Sequence, residues 1–170
     1  EAKADQEEIG ALRKRTQNLG GLERELQAHR QAFEAARTLA AQVEEVRAGR
    51  QWQDVHDTAV RVATEGMIEL GILDGTLDDL LESKDYKRLY VHNTGHWLGL
   101  DVHDVGEDTI DGHSRELEPG MVLTVEPGLY LGPAALEAVG EVASPCAGLG
   151  IRLEDDVLVT EGGRENLTAG

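Results

Sequence analysis

Proline and glycine are distributed so unevenly along this chain that they divide it in two. The first 50 residues contain no proline, and all four prolines (Pro119, Pro127, Pro133, Pro145) fall in the last third. Fifteen of the 20 glycines lie beyond residue 70. Proline breaks helix interiors and central strands, and glycine weakens both. Long helices are therefore confined to the front, and the back must be assembled from short strands and loops.

In the front, Leu22, Leu26, Phe33, Ala36, Leu39 or Ala40, Val43 and Val46 recur every three or four residues. That period predicts a helix over about 22–47 with one apolar face. Gly20-Gly21 is expected to break it on one side and Gly49 on the other. The apolar face is expected to meet the core, with a coiled-coil or partner-binding seam as the alternative reading. Asp54 is expected to cap a second helix over about 55–70, carrying Val55, Ala59, Val62, Met67 and Leu70, with Gly71 ending it. Residues 76–82 read as a short third helix that starts near Thr76 or Asp74. Residues 1–19 are highly charged, with Ile9, Leu12 and Leu19 as their few apolar positions, which suits a frayed helix or a disordered tail.

The back reads as strands. Met121 to Glu126 is β-branched and apolar until Pro127-Gly128 interrupts it, and residues 150–160 alternate up to Gly162-Gly163. Residues 96–103 are extended in character, because Gly95 and Gly99 argue against a helix. The longest loop is predicted at about 132–149.

Charge excludes one function class. The chain carries 16 basic and 33 acidic side chains, a net charge of −17. Residues 1–50 are neutral, with nine of each sign, so the whole excess lies in residues 51–170. A nucleic-acid backbone binder needs the opposite sign. No run of about 18 apolar residues suggests a membrane helix. Cys146 is the only cysteine, so no internal disulfide and no cysteine-based zinc site is expected. The first residues show neither an initiator methionine nor a signal-peptide pattern, which makes the cytoplasm the expected location.

Three of the six histidines, His92, His96 and His103, fall within twelve residues. On an extended segment positions 92 and 96 share a face, whereas His103 joins them only through a bend or bulge. Glu126 and Glu154 interrupt apolar strand sequence, where a carboxylate is costly unless paired or metal-bound. Arg152 lies two residues from Glu154, on the same strand face, and can pair with it. One histidine and two strand carboxylates suit a hard or borderline divalent cation. A buried salt bridge beside structural histidines is the plainer reading, and spacing alone leaves both open. His29, His56 and His113 have no partner motif and read as surface or structural. Cys146 reads as a bystander in the long loop.

Three stretches together closely resemble the Xaa-Pro aminopeptidases of the pita-bread metallopeptidase family. They are His92-Asn-Thr-Gly-His96-Trp-Leu-Gly-Leu-Asp-Val-His103-Asp-Val-Gly106, Leu117-Glu-Pro-Gly-Met-Val-Leu-Thr-Val-Glu126-Pro-Gly-Leu-Tyr130, and Gly150-Ile-Arg152-Leu-Glu154-Asp-Asp-Val-Leu-Val-Thr160 with Glu165-Asn-Leu-Thr168. The resemblance implies an α+β fold: the C-terminal part of a pita-bread domain, an antiparallel sheet with flanking helices. Residues 22–170 would be this partial catalytic domain, and residues 1–21 a charged, non-matching segment.

The implied activity is metal-dependent release of an N-terminal residue from a peptide with proline in second position. The implied cofactor is a divalent metal, manganese in this branch, with two ions held by two Asp, one His and two Glu. His96, Glu126 and Glu154 match the last three ligands. His92 and His103 match histidines that contact substrate and stabilise the developing tetrahedral centre. Glu126 would also move a proton, Arg152 and Tyr130 would steady the site, and Tyr130 would face substrate. The two Asp ligands of the family fall on Glu1 and Leu12, so one ion or none is expected here. Asp74 and Asp85 have the right separation but lie after the helices. The alternative is a non-catalytic pita-bread relative acting as a binding or scaffold module, and prolidase-like or creatinase-like chemistry shares the same ligands. A homo-oligomer or a complementing N-terminal half would cover the sheet edge and apolar surface that such a partial domain exposes.

Overall fold

The computed structural model describes residues 2–132, 135, 137 and 148–169, with the side chains of 2–12, 17, 25, 32 and 33 left out of the description. Most of the predicted loop at 132–149, and Cys146 with it, lies outside the described residues.

The front is helical, as its composition requires. Helix α1 spans Ala2–Glu45, α2 spans Trp52–Glu69, α3 spans Leu77–Ser83, and a 3-10 turn follows at Asp85–Arg88. Among the described residues, no helix is long and apolar enough to cross a membrane. Gly20-Gly21 does not break α1, contrary to the sequence expectation. Each glycine costs about 1 kcal/mol against alanine in a helix interior, but a fresh start after a break repeats the costly nucleation.

The face that α1 buries also differs from the expectation. Gln31, Glu34, Ala35, Thr38, Gln42 and Val46 are buried, and Leu39 and Val43 partly so. Leu22 and Leu26 are exposed, as are Ala36 and Ala40. Some of these polar side chains find partners: the Thr38 hydroxyl donates to the Glu34 carbonyl at 2.8 Å, and Arg37 Nε lies 3.1 Å from Glu34, whereas the Gln31 amide nitrogen is buried without a hydrogen-bond partner. Burial raises the Glu34 pKa above the ordinary carboxylate value, with Arg37 opposing the shift.

Helix α2 begins three residues earlier than anticipated. Gln51 is its N-cap, and Asp54 sits at the third helical position, accepting from the Gln51 amide at 2.8 Å. Asp54 thus helps to close the first turn without being the cap itself. Gly71, with φ of +68°, follows the last turn in the left-handed conformation that glycine tolerates. Thr76 caps α3, its side chain accepting from the Asp79 amide.

The back consists of short antiparallel strands. Leu98–Gly99 (β1) pairs with Val102–His103 (β2), and Thr109–Ile110 (β3) with His113–Ser114 (β4). Val122–Val125 (β5), Asp155–Thr160 (β8) and Gly163–Asn166 (β9) form a three-stranded sheet in the order β5-β8-β9. Gly128–Tyr130 (β6) pairs with Gly150–Arg152 (β7). The anticipated single strand at 150–160 is therefore two, broken at residues 153–154. The opposite strand breaks at 126–127, at the same level, because Val125 faces Asp155 and Gly128 faces Arg152. Both breaks carry a glutamate.

Two apolar clusters flank this ribbon. One gathers Ala59, Ala63 and Met67 of α2 with Leu80, Leu89, Tyr90 and Leu129. The other joins Val46 and Val55 to Trp97, Leu117, Leu123, Val125, Val157 and Val159.

Candidate metal centre

Segment 94–97 lies antiparallel to β5 and brings a histidine to the break in the ribbon. The Thr124 amide donates to the His96 carbonyl at 2.9 Å, and the Glu126 amide to the Thr94 carbonyl at 2.6 Å. Gly95 makes this approach possible. A Cβ there would fall on the Thr124 carbonyl oxygen and lie 2.9 Å from its carbon. Leu153 donates to the Pro127 carbonyl at 3.2 Å across the two breaks.

The result is one cluster. A ligating atom from each of His96, Glu126 and Glu154 lies within 4.8 Å of the others, and this is the group of three or more such side chains found among the described residues. Two ligands on one cation at about 2.0–2.6 Å stand at most about 4–5 Å apart, so the donors fit a single ion. Asp74 and Asp85 are not in the group.

The hydrogen bonds around the cluster aim its donors. His96 Nδ1 is 2.9 Å from the Trp97 carbonyl, to which it donates, leaving Nε2 to face Glu126 Oε1 at 3.3 Å. A neutral Nε2 and a carboxylate oxygen are both acceptors, so this contact calls for a proton or a cation between them. Glu126 is 4% exposed. Its Oε1 accepts from the Thr124 hydroxyl at 2.9 Å, while the same hydroxyl oxygen accepts from the His96 amide at 3.0 Å. Its other oxygen is paired with Arg152. Arg152 also reaches Glu154, at 3.8 Å. The sequence suggested an Arg152–Glu154 pair; the structure makes Glu126 the closer partner, because β7 ends directly opposite the Glu126 break. A guanidinium thus lies across the same two carboxylates that a cation would use.

Of the remaining anticipated residues, His103 reaches the cluster, while His92 and Tyr130 pair with each other. His103 arrives through the β1–β2 hairpin, whose return at Val102 has φ of +66°, and its ring centroid is 4.0 Å from that of His96. This is the bend that the spacing demanded. His92 turns elsewhere: its Nδ1 is 2.6 Å from the Asn93 carbonyl and its Nε2 is 3.0 Å from the Tyr130 hydroxyl. Burial raises the Tyr130 pKa, which keeps the phenol protonated and able to donate to His92. Gly128 leaves room for this pair, since a Cβ there would come within 2.7 Å of His92 Nε2.

Sequence reasoning missed a buried polar support behind the cluster. The Thr94 hydroxyl is 2.7 Å from His56 Nδ1 and 2.9 Å from the Tyr90 hydroxyl. Burial lowers the His56 pKa and pushes that of Tyr90 up to about 12. Thr94 and Thr124 each lie two residues from a cluster member, so the strand period was the available signal. A cleft of about 790 Å³ opens beside this support, lined among others by His56, Thr94, Gly95 and Thr124 but by none of the three clustered residues. The ligating chemistry belongs to the cluster and not to the cleft.

A half-buried histidine, a buried glutamate and an exposed glutamate make up the candidate metal site, and comparison with known proteins gives the family of the chain. The sequence profile of metallopeptidase family M24 matches residues 13–161, and the chain belongs to that family. Within it, the chain is 45% identical over 144 residues to the Xaa-Pro aminopeptidase of Escherichia coli K12, covering 84% of this chain and 31% of that protein. The structure of aminopeptidase PepP from Pseudomonas aeruginosa superposes with a TM-score of 0.76 at 42% identity, over 82% of this chain and 30% of that one. Zinc-substituted E. coli aminopeptidase P in complex with product gives a TM-score of 0.74 at 44% identity, over 82% and 30%. The chain therefore spans about a third of the length of the relatives it matches. Its fold is α+β and corresponds to part of the pita-bread fold, as the resemblance implied.

Proposed function

We propose that this chain carries the one-histidine, two-glutamate portion of a metal-dependent Xaa-Pro aminopeptidase site, and that His96, Glu126 and Glu154 hold one divalent cation there, manganese being the expected ion. The observation that carries the reading is the convergence of those three donors within 4.8 Å. A bound divalent cation acidifies water and polarises a carbonyl. The chain's own residues supply the rest. Trp97 fixes the His96 tautomer through its carbonyl, so that Nε2 would be the atom to hold the cation. Thr124 holds one oxygen of Glu126 in place, and Glu126 can accept and return a proton at the reacting centre. His103, beside His96, would stabilise charge that develops on the peptide's carbonyl oxygen, whereas His92, with Nδ1 on the Asn93 carbonyl and Nε2 on the Tyr130 hydroxyl, would contact substrate through its ring. The two Asp ligands implied by the resemblance match no Asp pair at the expected place in this sequence, which favours one ion over two.

The test is hydrolysis of a peptide with proline in second position, with and without manganese. The reading predicts release of the N-terminal residue that requires the metal and is abolished by Glu154→Ala. Arg152 favours a second reading, because it pairs with the buried Glu126 and lies 3.8 Å from the exposed Glu154 without a metal, and would let the core persist as a non-catalytic binding module. A chain that takes up manganese and leaves the peptide intact would support that module.

A further inference from the structure

Residues 94–96 lie outside every helix and strand of the fold, yet they carry a donor of the cluster. Backbone without a regular ladder keeps a ligand in place only where further bonds fix it. At one end the fixing group is Thr124, whose hydroxyl accepts from the His96 amide at 3.0 Å. At the other end it is Thr94, which is 4% exposed. The Thr94 hydroxyl sits between His56 Nδ1 at 2.7 Å and the Tyr90 hydroxyl at 2.9 Å. All three groups can donate or accept, so the hydroxyl keeps a partner on each side whichever way its proton points. The Thr94 carbonyl meanwhile accepts from the Glu126 amide at 2.6 Å. One residue is thus held through its side chain from α2 and holds the buried carboxylate of the cluster through its backbone.

We propose, on the metal reading given above, that His56, acting through the Thr94 hydroxyl, is a positioning residue for His96 and Glu126. Two features separate this role from plain packing. First, a valine at position 94 would occupy nearly the same volume, so the buried hydroxyl contributes direction and not bulk. Second, the bond crosses from one layer to the next. His56 stands on α2, which Ala59, Ala63 and Met67 anchor in an apolar cluster, so the helix helps to set where residues 94–96 lie against β5. Ligand distances to a cation must hold to within about 0.2 Å. A Thr94 released from α2 lets His96 and Glu126 drift together relative to Glu154, which enters from the facing break of the ribbon.

Manganese calorimetry and metal-free amide hydrogen exchange on the full chain test the proposal together. Thr94→Val and His56→Phe should each weaken manganese binding by about tenfold, and the double variant by no more than either alone, because both cut one path. Thr94→Ser and His56→Asn, whose amide can take the place of Nδ1, should bind within about twofold of the parent. Without metal, exchange of the Glu126 amide should speed up by about three- to tenfold in Thr94→Val and His56→Phe, while the β8–β9 amides keep their parent rates. A lowered melting temperature with parent manganese affinity and a parent rate at Glu126 would mark His56 as structural only and overturn the proposal, as would additive losses in the double variant. A parent chain that takes up no manganese would defeat the metal reading alone. Exchange at Glu126 then decides, faster exchange sustaining the positioning role and an unchanged rate overturning it.

Discussion

Gly95→Ala is the smallest substitution that should dismantle the candidate metal centre without touching a donor. The new methyl group would be driven onto the Thr124 carbonyl oxygen, and no flexible side chain can yield, because the obstruction is backbone. Segment 94–97 must move away from β5. Overpacking of this kind costs about 1–3 kcal/mol. The displacement also strains two backbone hydrogen bonds, Thr124 to His96 and Glu126 to Thr94, each worth about 0.5–1.5 kcal/mol. The expected loss is about 2–6 kcal/mol, or a fall in Tm of roughly 5–17 °C for a domain of this size. Thermal unfolding followed by circular dichroism reads the first effect. Manganese titration of the folded variant reads the second: because His96 moves with the segment while Glu126 and Glu154 stay on the ribbon, affinity should fall by about tenfold or more. Unchanged melting together with unchanged metal affinity would refute the claim that this close backbone approach assembles the site.

Two further predictions concern charge. Arg152→Met removes the cation lying across Glu126 and Glu154, and because Arg152 itself is half-exposed the loss in stability should be about 1–3 kcal/mol without metal and smaller with manganese, as read by paired thermal melts. Burial lowers the His56 pKa below its ordinary value of 6.5, so its stabilising neutral form is fully present above pH 6.5 and is lost progressively as the pH falls toward the folded-state pKa. His56→Gln should therefore flatten the fall in Tm on acidification below pH 6.5, and an equally steep fall in both proteins would contradict the assignment.

The parts of the fold that were legible in the sequence rest on local chemistry. Gly71 and Thr76 mark helix boundaries because left-handed backbone and side-chain capping are properties of single residues. Glu126 and Glu154 stood out because carboxylates are costly within apolar strands, and they proved to sit at the two facing breaks of one ribbon. The illegible parts depend on tertiary context. Periodicity told which residues of α1 share a face but not which face meets the domain, since Gln31, Thr38 and Gln42 are buried where the leucines were anticipated. Gly20-Gly21 continues as helix because propensity over two residues is a weak term against cooperative propagation. The approach of His103 to His96 hangs on the backbone of Val102, a β-branched residue in a conformation that its type rarely adopts.

Calorimetric titration of the full chain with manganese probes the central idea at its source. One equivalent should bind, binding should vanish in His96→Ala and in Glu154→Gln, and His113→Ala, an exposed histidine on β4, should leave it intact. Absence of binding, or uptake indifferent to His96 and Glu154, would show that the three donors converge for structural reasons alone.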